Sequence, residues 1–262
     1  MSDTSPEGSG RACIFCGGSP VTAEHAWPQW IAKYLPAQKL HHISYVEREG
    51  EDTAVHGQGE RVPFTTTVRC VCKPCNEGWM HEMEVTAEHL LAPLIQGKPV
   101  VWHEWKQSLA ATWAFKTAIV LEQSHPSYKA IPPEIFPLFR QFQCPAPFSQ
   151  VWMAHYQGEF PHSFGSGAMR LLIQSADGKV VPNDLEAYGA SIHVGALAFR
   201  IYGHLIKNGP PDVPSADMEQ RLTPIWPVGP RVRWPPERPI DDDGLTQLVK
   251  SMGEDMTGPD SQ

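Results

Sequence analysis

The chain has 262 residues, enough for one large domain or for a small domain with a bigger companion. Hydrophobic residues make up 41% of it, including nine tryptophans, which is ample for a core, and no apolar run reaches the roughly 18 residues that a membrane span needs. The net charge of −8 opposes a protein that holds nucleic acid through many phosphate contacts, because such proteins usually present a basic surface.

The first residues do not resemble a secretory signal. Residues 1–11 are small and polar and predict a disordered lead. They lack both the basic start and the apolar centre of a secretory signal, so we expect a cytoplasmic protein. Cysteines in a chain without an export signal favour metal binding or reduced thiols over disulfides.

Two Cys-x-x-Cys pairs dominate the first third of the chain. Cys13 and Cys16 form one pair, and Cys72 and Cys75 form the other. Two such pairs supply the four soft ligands of a tetrahedral structural zinc site, although the separation of 56 positions from Cys16 to Cys72 is more than a compact finger needs. Free thiols or a redox pair are the alternative.

Two cysteines fall outside the pairs. We expect Cys70 and Cys144 to be buried thiols. Since Cys70 lies two positions before the second pair, it is also a competing candidate for metal ligation.

The segment between the pairs begins with the dipeptide Glu24–His25 and a short helix whose first turn suits Pro28. Residues 37–61 are charged and Gly-rich, and we expect one or two strands and a mobile loop inserted there. Residues 62–71 are rich in Thr and Val and predict a strand that runs into the second pair.

A helix is predicted to begin at the second pair. Apolar residues recur at helical spacing until Gly97 and Pro99 supply a stop. Glu84 falls on the polar face of this helix, where we expect it to be solvated. Strand, cysteine turn and helix in this order are typical of a treble-clef-like zinc unit.

Beyond residue 100 the pattern no longer indicates a zinc module. Glu104–Glu122 predicts a long helix that is apolar almost all round and therefore central to a core. For Lys116 within it we expect a side chain that extends to the surface, with a functional role as the alternative. Further predicted elements are a helix near 132–142 and strands at Gln150–Tyr156, Met169–Ser175 and Tyr188–Tyr202, the last interrupted by Gly195.

These elements predict an α+β protein. We expect a zinc-stapled module at residues 12–97, a larger α+β domain of unknown role at 100–235, and a flexible acidic tail at 236–262 with one short helix near Leu245–Met252. Residues 221–234 are proline-rich and are expected to be irregular.

If the two cysteine pairs meet at one zinc ion, they bring together three residues that could form a hydrolytic site. Glu24 and Asn76 could hold a hard divalent ion such as Mg²⁺ through oxygen, and neutral His25 could take a proton from water that attacks a phosphodiester. Each residue also has a plainer interpretation: Glu24–His25 as a surface pair, and Asn76 as a helix N-cap.

At these positions the sequence resembles the HNH endonuclease superfamily, also called the ββα-metal fold. Its zinc-bearing members combine a first Cys-x-x-Cys pair, an acid–His dipeptide, and a second pair followed at once by Asn or His. The resemblance covers residues 12–90 and is closest in Glu24–Trp30 and Cys72–Met80, which match bacterial and phage proteins described only as HNH endonucleases.

The resemblance implies specific roles. His25 would be the general base, Glu24 and Asn76 would hold a catalytic Mg²⁺ or other divalent ion, the four paired cysteines would hold structural zinc, and the substrate would be DNA. Two departures stand out: the acid is Glu rather than the commoner Asp, and no asparagine lies between His25 and Asn76 to orient the base.

The missing asparagine leaves alternatives open. One of the inserted histidines, His41, His42 or His56, could replace it. Alternatively the site is inactive, and the protein is a zinc module that binds a protein partner or nucleic acid. A protein partner could also be engaged through residues 100–235.

Overall fold

The computed structural model describes residues 11–35, 41–49, 52–61, 64–125, 129–170, 173–174, 180–181, 186–205 and 214–250. The described chain is an α+β structure, as the sequence predicts. Its helices are α1 (Lys73–Cys75), α2 (His81–Ile95), α3 (Glu104–Glu122), α4 (Ile135–Phe142), α5 (Ala216–Glu219) and α6 (Asp242–Lys250).

The strands are numbered in their order along the chain. They are β1 (Val21–His25), β2 (His41–Glu49), β3 (Asp52–Arg61), β4 (Thr67–Cys72), β5 (Val100–Trp102), β6 (Gln150–His155), β7 (His162–Arg170), β8 (Ile173–Gln174), β9 (Val180–Val181), β10 (Glu186–Val194), β11 (Leu197–His204), β12 (Leu222–Trp226) and β13 (Val232–Trp234).

The N-terminal part is built on an antiparallel pair of strands. β1 pairs with β4 so that Val21 lies opposite Cys72 and His25 lies opposite Thr67. A bulge between them leaves Cys70 without a partner on β1, because Thr22 pairs with Val71 and the next residue pairs with Arg69. The pairing therefore places the end of β1 beside the start of β4, and the start of β1 beside the end of β4, where the chain enters α1.

The inserted segment between these two strands forms an antiparallel hairpin, β2–β3, with Val46 opposite Val55. The predicted strands are thus present. A short 3₁₀ helix, Gln29–Lys33, stands where the sequence predicts a helix after Pro28. The predicted strand at 62–71 is found slightly later, as β4.

The helix after the second cysteine pair is divided rather than continuous. α1 is followed by a wide helical turn, Asn76–Met80, and then by α2. The turn is kinked at Gly78, whose backbone angles (φ −95°, ψ −116°) are not helical. The kink gives α2 its own direction and its own helical phase.

A five-stranded antiparallel sheet forms the larger part of the structure, in the order β12-β6-β11-β10-β7. Its strands alternate between two cores, as the period of two residues requires. Tyr188, Ile192 and Phe199 point into the core that contains α3. The opposite face packs in a second cluster with residues of α5 and α6.

The predicted central helix is confirmed in position and in character. α3 spans Glu104–Glu122 as expected, and every residue from Ala110 to Glu122 is buried. β10 and β11 also confirm the interruption predicted at Gly195, which has φ +57° in the turn between them.

Three predictions about the C-terminal part are wrong. The strand expected at Met169–Ser175 is divided between the end of β7 and the short β8. The proline-rich stretch at 221–234 contains β12 and β13. The short helix expected near Leu245–Met252 is present as α6, but the described part of the tail is packed rather than flexible, because α6 buries Leu245 and Leu248. Residues 251–262, and the lead at 1–10, lie outside the described residues.

The division into two domains near residues 97–100 stays a prediction. The buried apolar residues on both sides of that point belong to one hydrophobic cluster, which extends from Cys13 to Trp234. The elements that carry the candidate site therefore pack directly on α3.

Candidate functional site

The four paired cysteines form one cluster. The Sγ atoms of Cys13, Cys16, Cys72 and Cys75 all lie within 4.8 Å of one another. Cys16 Sγ is 3.5 Å from that of Cys72 and 3.6 Å from that of Cys75. Tetrahedral zinc with Zn–S bonds of about 2.3 Å requires sulfurs roughly 3.8 Å apart, so the cluster can hold a metal ion such as zinc.

Glycines shape the turn that carries the first two sulfurs. The N–H of Gly17 donates to the Cys13 carbonyl (2.8 Å), and Gly17 has φ +72°. A Cβ on Gly18 would lie 3.3 Å from Cys16 Sγ and 3.6 Å from Cys72 Sγ. A side chain there would crowd the sulfurs, which explains the two consecutive glycines after this pair.

The unpaired cysteines lie outside the cluster. Cys70 is buried in the bulge of β4, and burial, helped by nearby Glu24, raises the pKa of its thiol to about 12. Its predicted role as a buried thiol is confirmed, and its alternative role as a ligand is not supported. Cys144 is half-buried, and burial raises the pKa of this thiol too.

A cleft of about 320 Å³ lies beside the cysteine cluster. It brings together all three residues that the sequence singles out for chemistry: Glu24, His25 and Asn76. β1 supplies the first two, and the turn after α1 supplies the third. α2 adds further lining residues, among them His81, Glu84 and Glu88.

Asn76 is tied to β1 rather than to a helix terminus. Its Nδ2 donates to Thr22 Oγ1 (3.3 Å), and its side chain is hydrogen-bonded to Glu24. Thr22 and Glu24 are two residues apart and so lie on the same face of the strand. The N-cap interpretation of Asn76 is wrong, because the helical run begins before it, at Lys73, and Asn76 instead ends α1.

The carboxyl group of Glu24 is electrostatically unusual. Burial raises its pKa from the ordinary 4.5 to about 7, and nearby Glu84 acts in the same direction. Lys116 and the hydrogen bond with Asn76 oppose the rise. A buried carboxylate of this kind gains strongly from a cation in the cleft.

Glu84 is not solvated, contrary to the sequence prediction. Its Oε2 accepts hydrogen bonds from the indole N–H groups of Trp30 (2.7 Å) and Trp113 (2.9 Å). Its Oε1 pairs with the ammonium group of Lys116. The prediction for Lys116 is also wrong, because its side chain is only 2% exposed and does not extend to the surface.

A signal for this ion pair was present in the sequence. Lys116 is the only charged residue between Ala110 and Leu121, in a helix that is apolar almost all round. A charge in such a stretch must be buried and must therefore have a partner of opposite sign.

The rim of the cleft carries a third carboxylate. Glu88 Oε1 accepts from Lys33 Nζ (2.9 Å) and from Tyr34 Oη (3.0 Å). The charged or ionisable groups that line the cleft are thus three carboxylates and two histidines. Glu84 and Glu88 already pair with lysines, so a cation in the cleft would compensate chiefly the charge of Glu24.

The proposed substitutes for the missing asparagine lie in the hairpin. His41 and His42 belong to β2, and His56 belongs to β3. Their side chains are outside the described part of the structure, so this prediction stays open.

No family model, curated protein or solved structure matches this chain. In the part of the chain that the structure describes, no helix is both long and apolar enough to cross a membrane.

Proposed function

We propose that this protein is a metal-dependent endonuclease of HNH type that hydrolyses phosphodiester bonds in DNA. One observation carries the proposal: Glu24, His25 and Asn76 line a single cleft beside four clustered cysteines. β1, β4 and α2 would form the treble-clef-like ββα unit, and the cysteines would hold its structural zinc.

The residues of the cleft suit a hydrated divalent ion. Mg²⁺ is usually bound through one or two carboxylates and keeps several waters or substrate oxygens. The carboxylate of Glu24 and the side-chain oxygen of Asn76 would hold it, and Glu24 gains most because its charge is otherwise poorly compensated. When bound, the ion would stabilise the negative charge that develops on the phosphate.

His25 would act as the general base. It is the last residue of β1 and lines the cleft next to Glu24. A neutral imidazole there would take a proton from the water that attacks the phosphorus atom. The chain continues from His25 into a backbone hydrogen bond from Ala26 N to Thr66 O (2.9 Å), which fixes the end of the strand.

The carboxylates that line the cleft would repel the phosphates of DNA unless a cation lay between the carboxylates and the phosphates. The divalent ion would reverse the local sign, so DNA binding is expected to depend on it. This also accommodates the net charge of −8, because substrate affinity would come from the loaded site and not from a basic surface.

The test is cleavage of supercoiled plasmid in Mg²⁺, Mn²⁺ or Ni²⁺, comparing wild type with His25→Ala, each with bound zinc confirmed. His89→Ala is the matched control, because His89 is exposed on α2 and is not among the residues that line the cleft. We expect nicking by wild type and His89→Ala, and loss of at least about 100-fold in His25→Ala.

A zinc-loaded wild type that cuts none of the nucleic acids offered would refute the nuclease. The alternative would then lead: a catalytically inactive zinc module that binds nucleic acid or a protein partner. Retained binding of DNA or of a partner by that inactive protein, unchanged in His25→Ala, would identify it.

A further inference from the structure

The carboxylate of Glu84 is held unusually firmly for a residue that lines a cleft. Three donors converge on it: two indole N–H groups on Oε2, and one ammonium group on Oε1. A carboxylate offers about four lone-pair positions, so these donors leave one, on Oε1. The side chain is 17% exposed, and the cleft lies on its open side.

The donors come from two distant parts of the chain. Trp30 belongs to the short helix that follows His25, whereas Trp113 and Lys116 both belong to α3. Neither residue of α3 lines the cleft. Both contact the cleft through Glu84, and the charge of Lys116 also acts on the Glu24 carboxyl through space.

We propose that Lys116 and Trp113 are positioning residues of the cleft, which hold Glu84 as a fixed anion facing the divalent ion of the proposed reaction. The inference rests on the proposed function, because that function supplies the ion. Glu84 would act from outside the coordination shell: its remaining lone pair can accept a hydrogen bond from water on the ion. α3 would thus be part of the active site.

The ion pair between Glu84 and Lys116 determines whether each substitution raises or lowers the affinity for a cation. Glu84→Gln keeps the shape of the side chain but leaves the buried ammonium group of Lys116 uncompensated near the cleft, where it repels a cation. Adding Lys116→Met removes that repulsion. The double variant should therefore bind a cation better than Glu84→Gln alone, although each substitution by itself disrupts the ion pair between residues 84 and 116.

The experiment measures the affinity for Mn²⁺ by electron paramagnetic resonance, in zinc-loaded protein without substrate. We expect Glu84→Gln to weaken the binding of Mn²⁺ in the cleft by about tenfold or more, and Lys116→Met to restore most of the loss. The matched controls are Glu82→Gln and Lys106→Met, which change the same charges on α2 and α3 away from the cleft and should leave the affinity unchanged.

Several outcomes would overturn the inference. One is an affinity for Mn²⁺ that Glu84→Gln leaves unchanged, and another is a wild type that binds no Mn²⁺ in the cleft. The third is a double variant in which the two losses of affinity simply add, as a purely structural role predicts. If Glu84→Gln does not fold, Trp113→Phe removes one N–H donor and keeps an aromatic ring. It should weaken binding by about threefold, and no change would count against the role of α3.

Failure of the nuclease proposal is a separate result. A wild type that binds Mn²⁺ and cuts nothing would refute catalysis. The pattern of loss in Glu84→Gln and recovery in the double variant would still establish the positioning role at a cation-binding site.

Discussion

Replacing Glu24 by Gln should stabilise the protein when no divalent ion occupies the cleft, by an amount that depends on pH. The pKa of Glu24 lies at about 7 in the folded protein and at 4.5 ordinarily, mainly because of burial. This difference of about 2.5 corresponds to roughly 3 kcal/mol. That is the free energy by which the ionised carboxylate destabilises the fold.

The direction in which stability changes with pH follows from proton binding. Between pH 4.5 and 7 the folded state binds more protons at Glu24 than the unfolded state does, so stability contributed by this group falls as pH rises through that window. Glu24→Gln has no such group. Its stability relative to wild type should therefore increase by about 2 kcal/mol from pH 5.5 to pH 8, because the rest of the roughly 3 kcal/mol develops below pH 5.5.

The assay is urea unfolding of both proteins in chelator-treated buffer, with zinc content confirmed at each pH. Millimolar Mg²⁺ should stabilise wild type at pH 8 and have little effect on Glu24→Gln, because the ion replaces the proton as the partner of the carboxylate. A stability difference that does not change with pH, or one that grows toward acid, would refute the reasoning about this carboxyl group.

Three further results are expected. Cys75→Ser should abolish zinc binding and most of the folded signal in circular dichroism, whereas Cys70→Ser, outside the cluster, should keep a full equivalent of zinc by metal analysis. Glu122→Ala should lower the free energy of unfolding by roughly 2–4 kcal/mol in urea titration, because its buried carboxylate accepts from two backbone N–H groups that would lose their partner. Gly195→Ala should lower the melting temperature by several degrees, since φ is +57° and a Cβ would lie 2.5 Å from the Ile95 carbonyl oxygen. An unchanged melting temperature would show that the turn between β10 and β11 can move away from Ile95.

The residues that the sequence identified best are those whose chemistry is local. Two cysteines three positions apart can share one ion wherever the chain brings a second pair, so the cluster was predictable without the fold. α3 was predictable for a similar reason: a run that is apolar on every side has to be buried, whatever packs on it.

The ion pair of Glu84 and Lys116 was missed because each residue was assigned by its own charge. The apolar residues that mark the inner face of α2, among them Ala87 and Leu91, are buried as their spacing predicts. Glu84 lies three residues before Ala87 and seven before Leu91, so it lies on that same inner face. The default for an isolated Glu on a helix is solvent, and the identity of its partner on α3 follows only from the packing of the two helices.

The strand β12 shows a different limit of sequence reasoning. Pro224 lies within it, and prolines normally argue against a strand. β12 is the edge of the sheet, with β6 as its neighbour on one side. A proline is tolerated there because one side of an edge strand needs no hydrogen-bond donor.

The hairpin β2–β3 interrupts the chain between the two cysteine pairs without interrupting the site. The chain leaves this region after the short helix and returns at Phe64, whose ring packs against Trp27 at 6.1 Å between centroids. Closing so long a loop costs little more than closing a short one, because the entropy of closure rises only with the logarithm of length. The length of the hairpin can therefore change at little cost in closure entropy while the strands on either side keep their pairing.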